Sequence, residues 1–167
     1  MELAERAKRI KLLLMDCDGV LTDGRLYFSA AGEELKVFHV RDGEGIAAWH
    51  KAGYASGIIS GRASGGIIQV RAQELDIKYV RAGSRDKVKD LEEIISDERV
   101  SPDDVAYVGD DVGDLEVLKR VGLAIAVADA VEEVKSVAHY VTRANGGSGA
   151  VREAIELLLR SRMTSQE

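Results

Sequence analysis

Acidic side chains directly after apolar runs are the residues of this sequence best suited to do chemistry. They are Asp16 and Asp18, which follow the run LLLM, and Asp110, Asp111 and Asp114, which lie in the stretch GDDVGD. Carboxylates a few Å apart raise one another's pKa, so together they need a counter-charge to stay ionised. A divalent cation is such a counter-charge, and an all-oxygen ligand set favours Mg²⁺ over zinc. The pattern therefore predicts a magnesium site, provided that the fold brings the two groups together.

A carboxylate in such a cluster can also act as a nucleophile. Its attack on phosphorus forms an aspartyl-phosphate, while a second carboxylate donates a proton to the leaving oxygen and later deprotonates water. Lys87 and the hydroxyl of Ser60 would stabilise the charge on the phosphoryl oxygens. These residue types together predict phosphoryl-transfer chemistry.

Five short apolar runs, each ending in Gly, Ser or Asp, are the elements that must position these side chains. They are residues 10–16, 54–60, 77–83, 104–110 and 123–129. Between most of them lie amphipathic segments with helical spacing. The alternation predicts the α/β class, with a Rossmann-like parallel sheet and helices on both faces. Because ligands of such sheets bind outside the carboxyl ends of the strands, Asp16, Asp18 and Asp110 should converge there beside Lys87 and Ser60.

Two further segments do not follow the strand and helix alternation. Residues 24–43 have the pattern of two strands around Ala-Gly-Glu, which predicts an inserted β-hairpin. Residues 147–167 begin with a Gly-rich turn, which can be a plain turn or an anion-binding nest, and continue as a helix. The last few residues are expected to fray.

Length and composition limit the classes of protein to which the chain can belong. Its 167 residues predict a single domain over 1–167, with no room for a separate cap domain. A formal net charge of -6 without a basic stripe argues against a nucleic-acid partner. The opening segment carries charges throughout, and its apolar run is too short for a signal peptide or a membrane span. We therefore expect no membrane partner and a cytoplasmic location. The single cysteine, Cys17, is expected to be a small buried filler.

The motifs and their order resemble those of the haloacid dehalogenase superfamily of phosphatases over nearly the whole chain. The stretch DCDGVLTDG is similar to the first motif, which implies that Asp16 is the nucleophile and Asp18 the acid/base. The resemblance also places Asp16 and a backbone carbonyl of Asp18 on the metal. Ser60 matches the second motif and Lys87 the third. In the fourth, Asp110 is the implied direct ligand, with Asp111 and Asp114 supporting.

A closer resemblance is to the small capless branch typified by 3-deoxy-D-manno-octulosonate 8-phosphate phosphatases. The matching stretches are DGVLTDGRLYFSAAGEELKVFHVRDGEGI, IISGRAS, VRAQELDI and GGSGAVRE. The resemblance implies Mg²⁺ as cofactor, a phosphorylated sugar acid as substrate, and a step in lipopolysaccharide precursor synthesis. It departs at Ala82, where the family more often has Gln, and at Ser148, which replaces an often basic residue.

Substrate binding is assigned to Gly61, Arg62 and Arg71. A guanidinium such as that of Arg62 matches a carboxylate or phosphate bidentately. The stretch SGRASGG can alternatively be only a turn and helix cap, and Arg62 a solvated surface residue.

Water must be controlled around an aspartyl-phosphate, and this chain has no cap to cover the site. The hairpin at 24–43 is the spare element, and an isolated hairpin is marginally stable in water. We therefore expect it to pair with copies in other subunits, so that a neighbour covers each active site. The family resemblance points to a homotetramer.

Two other functions compete with this interpretation. A phosphatase of a nonulosonate 9-phosphate or another small sugar phosphate would use the same chemistry on a different substrate. A receiver-like phospho-acceptor module also has acidic residues after its first strand. It requires its acceptor Asp after the third strand and its Lys after the fifth, however, and this sequence fills neither position convincingly.

Overall fold

A six-stranded parallel sheet forms the centre of the structure, a computed structural model that describes residues 1–163. The strands in chain order are β1 (Leu12–Met15), β2 (Tyr27–Ser29), β3 (Gly32–Leu35), β4 (Ala55–Ser60), β5 (Tyr79–Ala82), β6 (Val105–Gly109), β7 (Leu123–Ala126) and β8 (Tyr140–Val141). The sheet has the order β5-β4-β1-β6-β7-β8, with β1 between β4 and β6. The predicted α/β class and parallel sheet are confirmed. The two-residue β8 was not predicted, because two residues are too few to show a period.

Helices cover both faces of this sheet. Those in the described residues are α1 (Leu3–Arg9), α2 (Val40–Lys51), α3 (Ile67–Glu74), α4 (Lys87–Glu98), α5 (Leu115–Leu118), α6 (Glu132–Val137) and α7 (Ala150–Met163). Helices α1, α2 and α7 pack together, and α4, α5 and α6 form a second group. Every residue of β1, β6 and β7 is buried, as expected for parallel strands covered on both sides.

The predicted β-hairpin is present as the antiparallel pair of β2 and β3. Its predicted range of 24–43 was too long, because α2 already begins at Val40. The ring of His39 caps this helix by accepting the N–H of Arg41 at 3.1 Å. Residues 40–43 are therefore helical, and the hairpin with its flanking segments ends at His39.

The C-terminal part of the chain packs against the loop that follows β1. The Gly147 N–H donates to the Val20 carbonyl at 2.9 Å, and a Cβ placed on Gly146 would lie 1.7 Å from the Gly19 carbonyl oxygen. Only glycine fits at position 146. Residues 164–167, where fraying was expected, lie outside the described residues.

One hydrophobic cluster joins the sheet and its helices. Cys17 belongs to it and is fully buried, which confirms its expected role as a filler; burial raises the pKa of its thiol to about 12. Within residues 1–163, no helix has the length and apolar character needed to cross a bilayer.

Candidate active site

The first acidic pair lies where β1 ends. The Asp16 N–H continues the ladder by donating to the Val108 carbonyl at 3.1 Å, and its Oδ1 accepts the N–H of Cys17 at 2.7 Å. The chain then turns sharply, and Gly19 takes a φ of +87°. A Cβ at Gly19 would lie 1.9 Å from Asp110 Oδ2, so the absence of a side chain allows the two loops to meet.

The second acidic group lies at the end of the neighbouring strand β6. Asp114 is fully buried, and its Oδ2 accepts the N–H of Asp110 at 3.1 Å and that of Asp111 at 3.4 Å. Its Oδ1 accepts the Tyr107 hydroxyl at 2.7 Å. Asp111 is exposed and caps the following turn, accepting the N–H of Val112. Asp114 thus holds the loop that carries Asp110, which supports its predicted role as a supporting residue.

Asp16, Asp110 and Asp114 form one cluster, in which a carboxylate oxygen from each lies within 4.8 Å of the other two. Burial, followed by the charge of Asp114, raises the pKa of Asp16 to about 7. Burial, followed by the charges of Asp16 and Asp114, raises the pKa of Asp110 to about 8. The predicted convergence of residues 16 and 110 is therefore confirmed, and the cluster carries more negative charge than its surroundings neutralise.

The ammonium group of Lys87 provides positive charge beside these carboxylates. Lys87 is the first residue of α4, whose N-cap Asp86 accepts the N–H groups of Val88 and Lys89. Its ammonium lies 3.0 Å from Asp16 Oδ2 and 2.8 Å from Asp114 Oδ1. Burial lowers the pKa of Lys87, but the two carboxylates more than offset this and the pKa lies above its ordinary value.

The cluster fits a divalent cation with oxygen ligands. Asp110 Oδ1 is buried and has no hydrogen-bond partner among the described residues, so it has an open coordination position. A hard cation such as Mg²⁺ takes carboxylate oxygens, whereas zinc prefers nitrogen and sulfur. The carboxylate of Asp18 lies outside the cluster, which is compatible with the expected ligand from Asp18 being its backbone carbonyl.

Ser60 is the last residue of β4, which lies on the other side of β1, and Gly61 and Arg62 follow it. The buried Ser60 hydroxyl bonds the Arg62 backbone, donating to its carbonyl at 3.2 Å. Arg62 Nε lies 3.7 Å from Asp18 Oδ2, and its Nη2 lies 3.5 Å from Glu33 Oε2. The structure thus brings Arg62 to Asp18, and the side chain of Arg62 is half-exposed and accessible to a substrate.

Arg71 lies on α3 and makes different contacts from the other predicted residues. Its guanidinium is 2.9 Å from the Glu74 carboxylate and 5.4 Å from the centre of the Phe38 ring. These contacts join α3 to the residues just before α2 and do not involve the acidic cluster.

Three further residues belong to the site and were not predicted from the sequence. The Tyr107 hydroxyl is buried in the middle of an apolar strand, a polar group that could have been noticed. Lys36 and Glu33 belong to the hairpin, and their ion pairs bring it to Asp18. The available signal for Lys36 was a charge between two apolar residues, Leu35 and Val37, in a strand-like segment.

The fold and this site are those of a haloacid dehalogenase-like hydrolase, and a protein-family model of that description matches residues 76–155. The 3-deoxy-D-manno-octulosonate 8-phosphate phosphatase KdsC of Yersinia pestis is 43% identical over 158 residues, which cover 95% of this chain and 84% of the relative. The chain belongs to the 3-deoxy-D-manno-octulosonate 8-phosphate phosphatase family.

Solved structures agree with this assignment. The crystal structure of the Yersinia pestis phosphatase has a TM-score of 0.93 and 42% identity, and the match covers 96% of this chain and 86% of that one. The phosphatase from Moraxella catarrhalis, in complex with a magnesium ion, a phosphate ion and a KDO molecule, has a TM-score of 0.93 and 37% identity. That match covers 97% of this chain and 92% of the other.

Proposed function

We propose that this protein is a magnesium-dependent phosphatase that hydrolyses 3-deoxy-D-manno-octulosonate 8-phosphate to KDO and inorganic phosphate. The observation that carries the proposal is the meeting of Asp16 and Asp110 at the carboxyl edge of the sheet, beside Lys87. The names of the relatives, at 42–43% identity, support the substrate, and the Moraxella complex supports the cation.

In the proposed mechanism Asp16 attacks the phosphorus, and the bond between phosphorus and the sugar oxygen breaks. Asp18 gives its proton to the leaving sugar oxygen. It then takes a proton from water, whose oxygen attacks the aspartyl-phosphate and releases phosphate with Asp16 restored. Lys87 and the Ser60 hydroxyl stabilise the negative charge on the phosphoryl oxygens. Mg²⁺ held by Asp16, Asp110 and the Asp18 carbonyl would neutralise phosphate charge, with Asp111 and Asp114 supporting that loop.

The guanidinium of Arg62 supports the substrate class. It is half-exposed beside Asp18 and can donate paired hydrogen bonds to a carboxylate or phosphate of a sugar acid, with the neighbouring Gly61 as a proposed backbone contact. Arg71 remains a proposed substrate ligand from the family resemblance, and its contacts with Phe38 and Glu74 would have to open for that role.

A phosphate-release assay over a panel of sugar-acid phosphates tests this proposal. The octulosonate 8-phosphate should give the highest kcat/KM, and EDTA should abolish turnover until Mg²⁺ is restored. Asp16→Asn should reduce turnover by at least about a thousandfold, since it removes the nucleophile. Asp23→Asn, at a carboxylate outside the cluster, is the matched control and should keep full activity.

Three results would contradict the proposal. Retained activity in Asp16→Asn would show that the nucleophile is wrong. Preferred turnover of a nonulosonate 9-phosphate would correct the substrate alone. A single phosphorylation without release of phosphate would instead indicate a receiver-like module.

The same proposal includes an assembly. The segment from 26 to 40 exposes large apolar side chains, namely Leu26, Tyr27, Phe28, Leu35, Val37 and Val40. Exposed apolar patches of this kind mark contact surfaces. We expect the hairpins to pair in a homotetramer of single-domain chains, with a neighbouring subunit covering each active site. A chain that sediments as a fully active monomer at assay concentration would refute this.

The expected cytoplasmic location also stays a prediction, which cell fractionation tests.

A further inference from the structure

Lys36 is a buried lysine whose neighbours along the chain face outward. Its side chain is 1% exposed, whereas Leu35 and Val37 are 45% and 54% exposed. Lysine is almost never fully buried unless it is paired, because removing its charge from water is costly. The side chain must therefore have partners strong enough to hold it inside.

Those partners are two carboxylates from different parts of the chain. The Lys36 ammonium lies 2.5 Å from Asp18 Oδ1 and 2.7 Å from Glu33 Oε1. Glu33 lies on β3 of the hairpin, and Asp18 lies on the loop after β1. Lys36 thus joins the hairpin to the loop that carries the proposed acid/base.

The two oxygens of Asp18 differ in their contacts. Oδ1 is held by Lys36, whereas Oδ2 is buried and has no hydrogen-bond partner among the described residues. Arg62 Nε lies 3.7 Å from this Oδ2, beyond hydrogen-bond distance. A carboxylate fixed through one oxygen presents the other in a defined direction, which is what proton transfer to a leaving oxygen requires.

We propose that Lys36 is a positioning residue for the reaction: braced by Glu33, its ammonium fixes Asp18 so that Oδ2 faces the leaving oxygen of the substrate. The inference rests on the proposed acid/base role of Asp18. It makes the hairpin part of the catalytic machinery of its own subunit, independently of any contact with a neighbour.

Leaving-group dependence separates this role from a merely structural one. The sugar alkoxide of the octulosonate 8-phosphate needs a proton as it leaves, whereas the p-nitrophenolate of p-nitrophenyl phosphate departs without one. Lys36→Met should lower kcat/KM, which reports the steps up to formation of the aspartyl-phosphate, by about 10- to 100-fold for the sugar phosphate and by less than about threefold for p-nitrophenyl phosphate. Hydrolysis of the aspartyl-phosphate uses Asp18 as base with either substrate, so any fall in kcat from that shared step should be common to both. Lys36→Arg, which keeps the charge, should restore part of the loss.

Two controls accompany these variants. Arg25→Gln removes an exposed charge of the same segment, whose partner Asp23 lies 3.8 Å away, and should leave both substrates unaffected. If Lys36→Met does not fold, as judged by circular dichroism, the double variant Lys36→Met/Glu33→Gln removes the stranded Glu33 charge and should show the same selective loss.

An equal loss of kcat/KM on both substrates, or no loss on either, would overturn the positioning role. Asp18→Asn distinguishes failure of the underlying function. It should show the same selectivity as Lys36→Met with a larger loss. If Asp18→Asn is not selective, the acid/base assignment fails and the role of Lys36 fails with it. If Asp18→Asn is selective and Lys36→Met is not, only the role of Lys36 is wrong.

Discussion

Two lysines, the buried Lys36 and the partly buried Lys87, each lie between two carboxylates but differ in how well their surroundings balance charge. Lys87 faces the Asp16, Asp110 and Asp114 cluster, where three carboxylates share one ammonium. Lys36 faces Asp18 and Glu33, and Arg62 adds a second positive charge.

The pKa values follow this difference. Burial raises the pKa of Asp16 to about 7 and that of Asp110 to about 8, and the neighbouring carboxylates add to the rise. Burial also raises the pKa of Glu33, but the hydrogen bond from Lys36 and the charges of Lys36 and Arg62 counteract it, and the pKa lies below its ordinary value. A balanced cluster can hold a fixed geometry alone, whereas an unbalanced one is completed by a cation.

The largest effect should come from removing Lys87. Lys87→Met should lower kcat for the sugar phosphate and for p-nitrophenyl phosphate alike, by about 10²–10³-fold, because phosphoryl oxygens carry charge with either leaving group. Lys89→Met, at an exposed position of the same helix, should have no effect. A loss confined to the sugar phosphate, like that expected for Lys36→Met, would mean that the two lysines have the same role.

The next effect is on stability in the absence of metal. Because the pKa values of Asp16 and Asp110 are raised by folding, the folded protein binds more protons than the unfolded chain between about pH 4 and 8. The free energy of unfolding of the metal-free protein, measured in EDTA, should therefore fall as the pH rises through this range. Thermal unfolding at several pH values measures it.

Mg²⁺ should reverse this trend, since it binds the ionised carboxylates. At one fixed concentration, one hundred times its Kd at pH 8, it should raise Tm by about 5–10 °C at pH 8 and by less at pH 6, where protonated carboxylates weaken its binding. Asp110→Asn should weaken both the pH dependence and the Mg²⁺ effect. Equal Mg²⁺ stabilisation at both pH values would contradict the charge imbalance.

A smaller effect is expected from Glu33→Gln. The substitution keeps an acceptor for Lys36 but removes the charge that balances Lys36 and Arg62, so unfolding in urea should become easier by about 1–3 kcal/mol. Glu132→Gln is the matched control. Its partner Lys135 lies three residues away on the surface, and it should change stability by less than about 0.5 kcal/mol. Equal effects would show that burial of the hairpin pair contributes nothing.

The smallest effect on chain stability should come from Phe28→Ser, since Phe28 is 61% exposed. We expect a change within about 0.5 kcal/mol in the free energy of unfolding per isolated chain. Sedimentation should nevertheless show weaker assembly, because the proposed contact surface loses an aromatic ring. Val70→Ser, at an exposed position of α3, is the control and should not change assembly.

The sequence could predict the unbalanced cluster because regular elements position it. Asp16 and Asp110 end apolar runs, and parallel strands bring such ends to one edge. The structure confirms that convergence, the sheet and the hairpin. The hairpin's end at 43 was wrong because the His39 cap and the first turn of α2 were taken as strand.

Lys36 could not be predicted in the same way. Alternation normally buries the apolar residues of a strand and exposes the charged ones, and here Leu35 and Val37 are exposed while Lys36 is buried. Only the position of Asp18 in space makes that reversal favourable. Tyr107 is similar, because its hydroxyl gains a partner from Asp114 only once the loop after β6 has folded back.

The close approach of Gly146 and Gly147 to residues 19 and 20 has a consequence for synthesis of the protein. The backbone that supports the nucleophile loop emerges from the ribosome more than a hundred residues after the loop itself. A nascent chain therefore carries an incomplete catalytic loop until residues 146 and 147 have emerged. Activity should be gained only after that contact has formed.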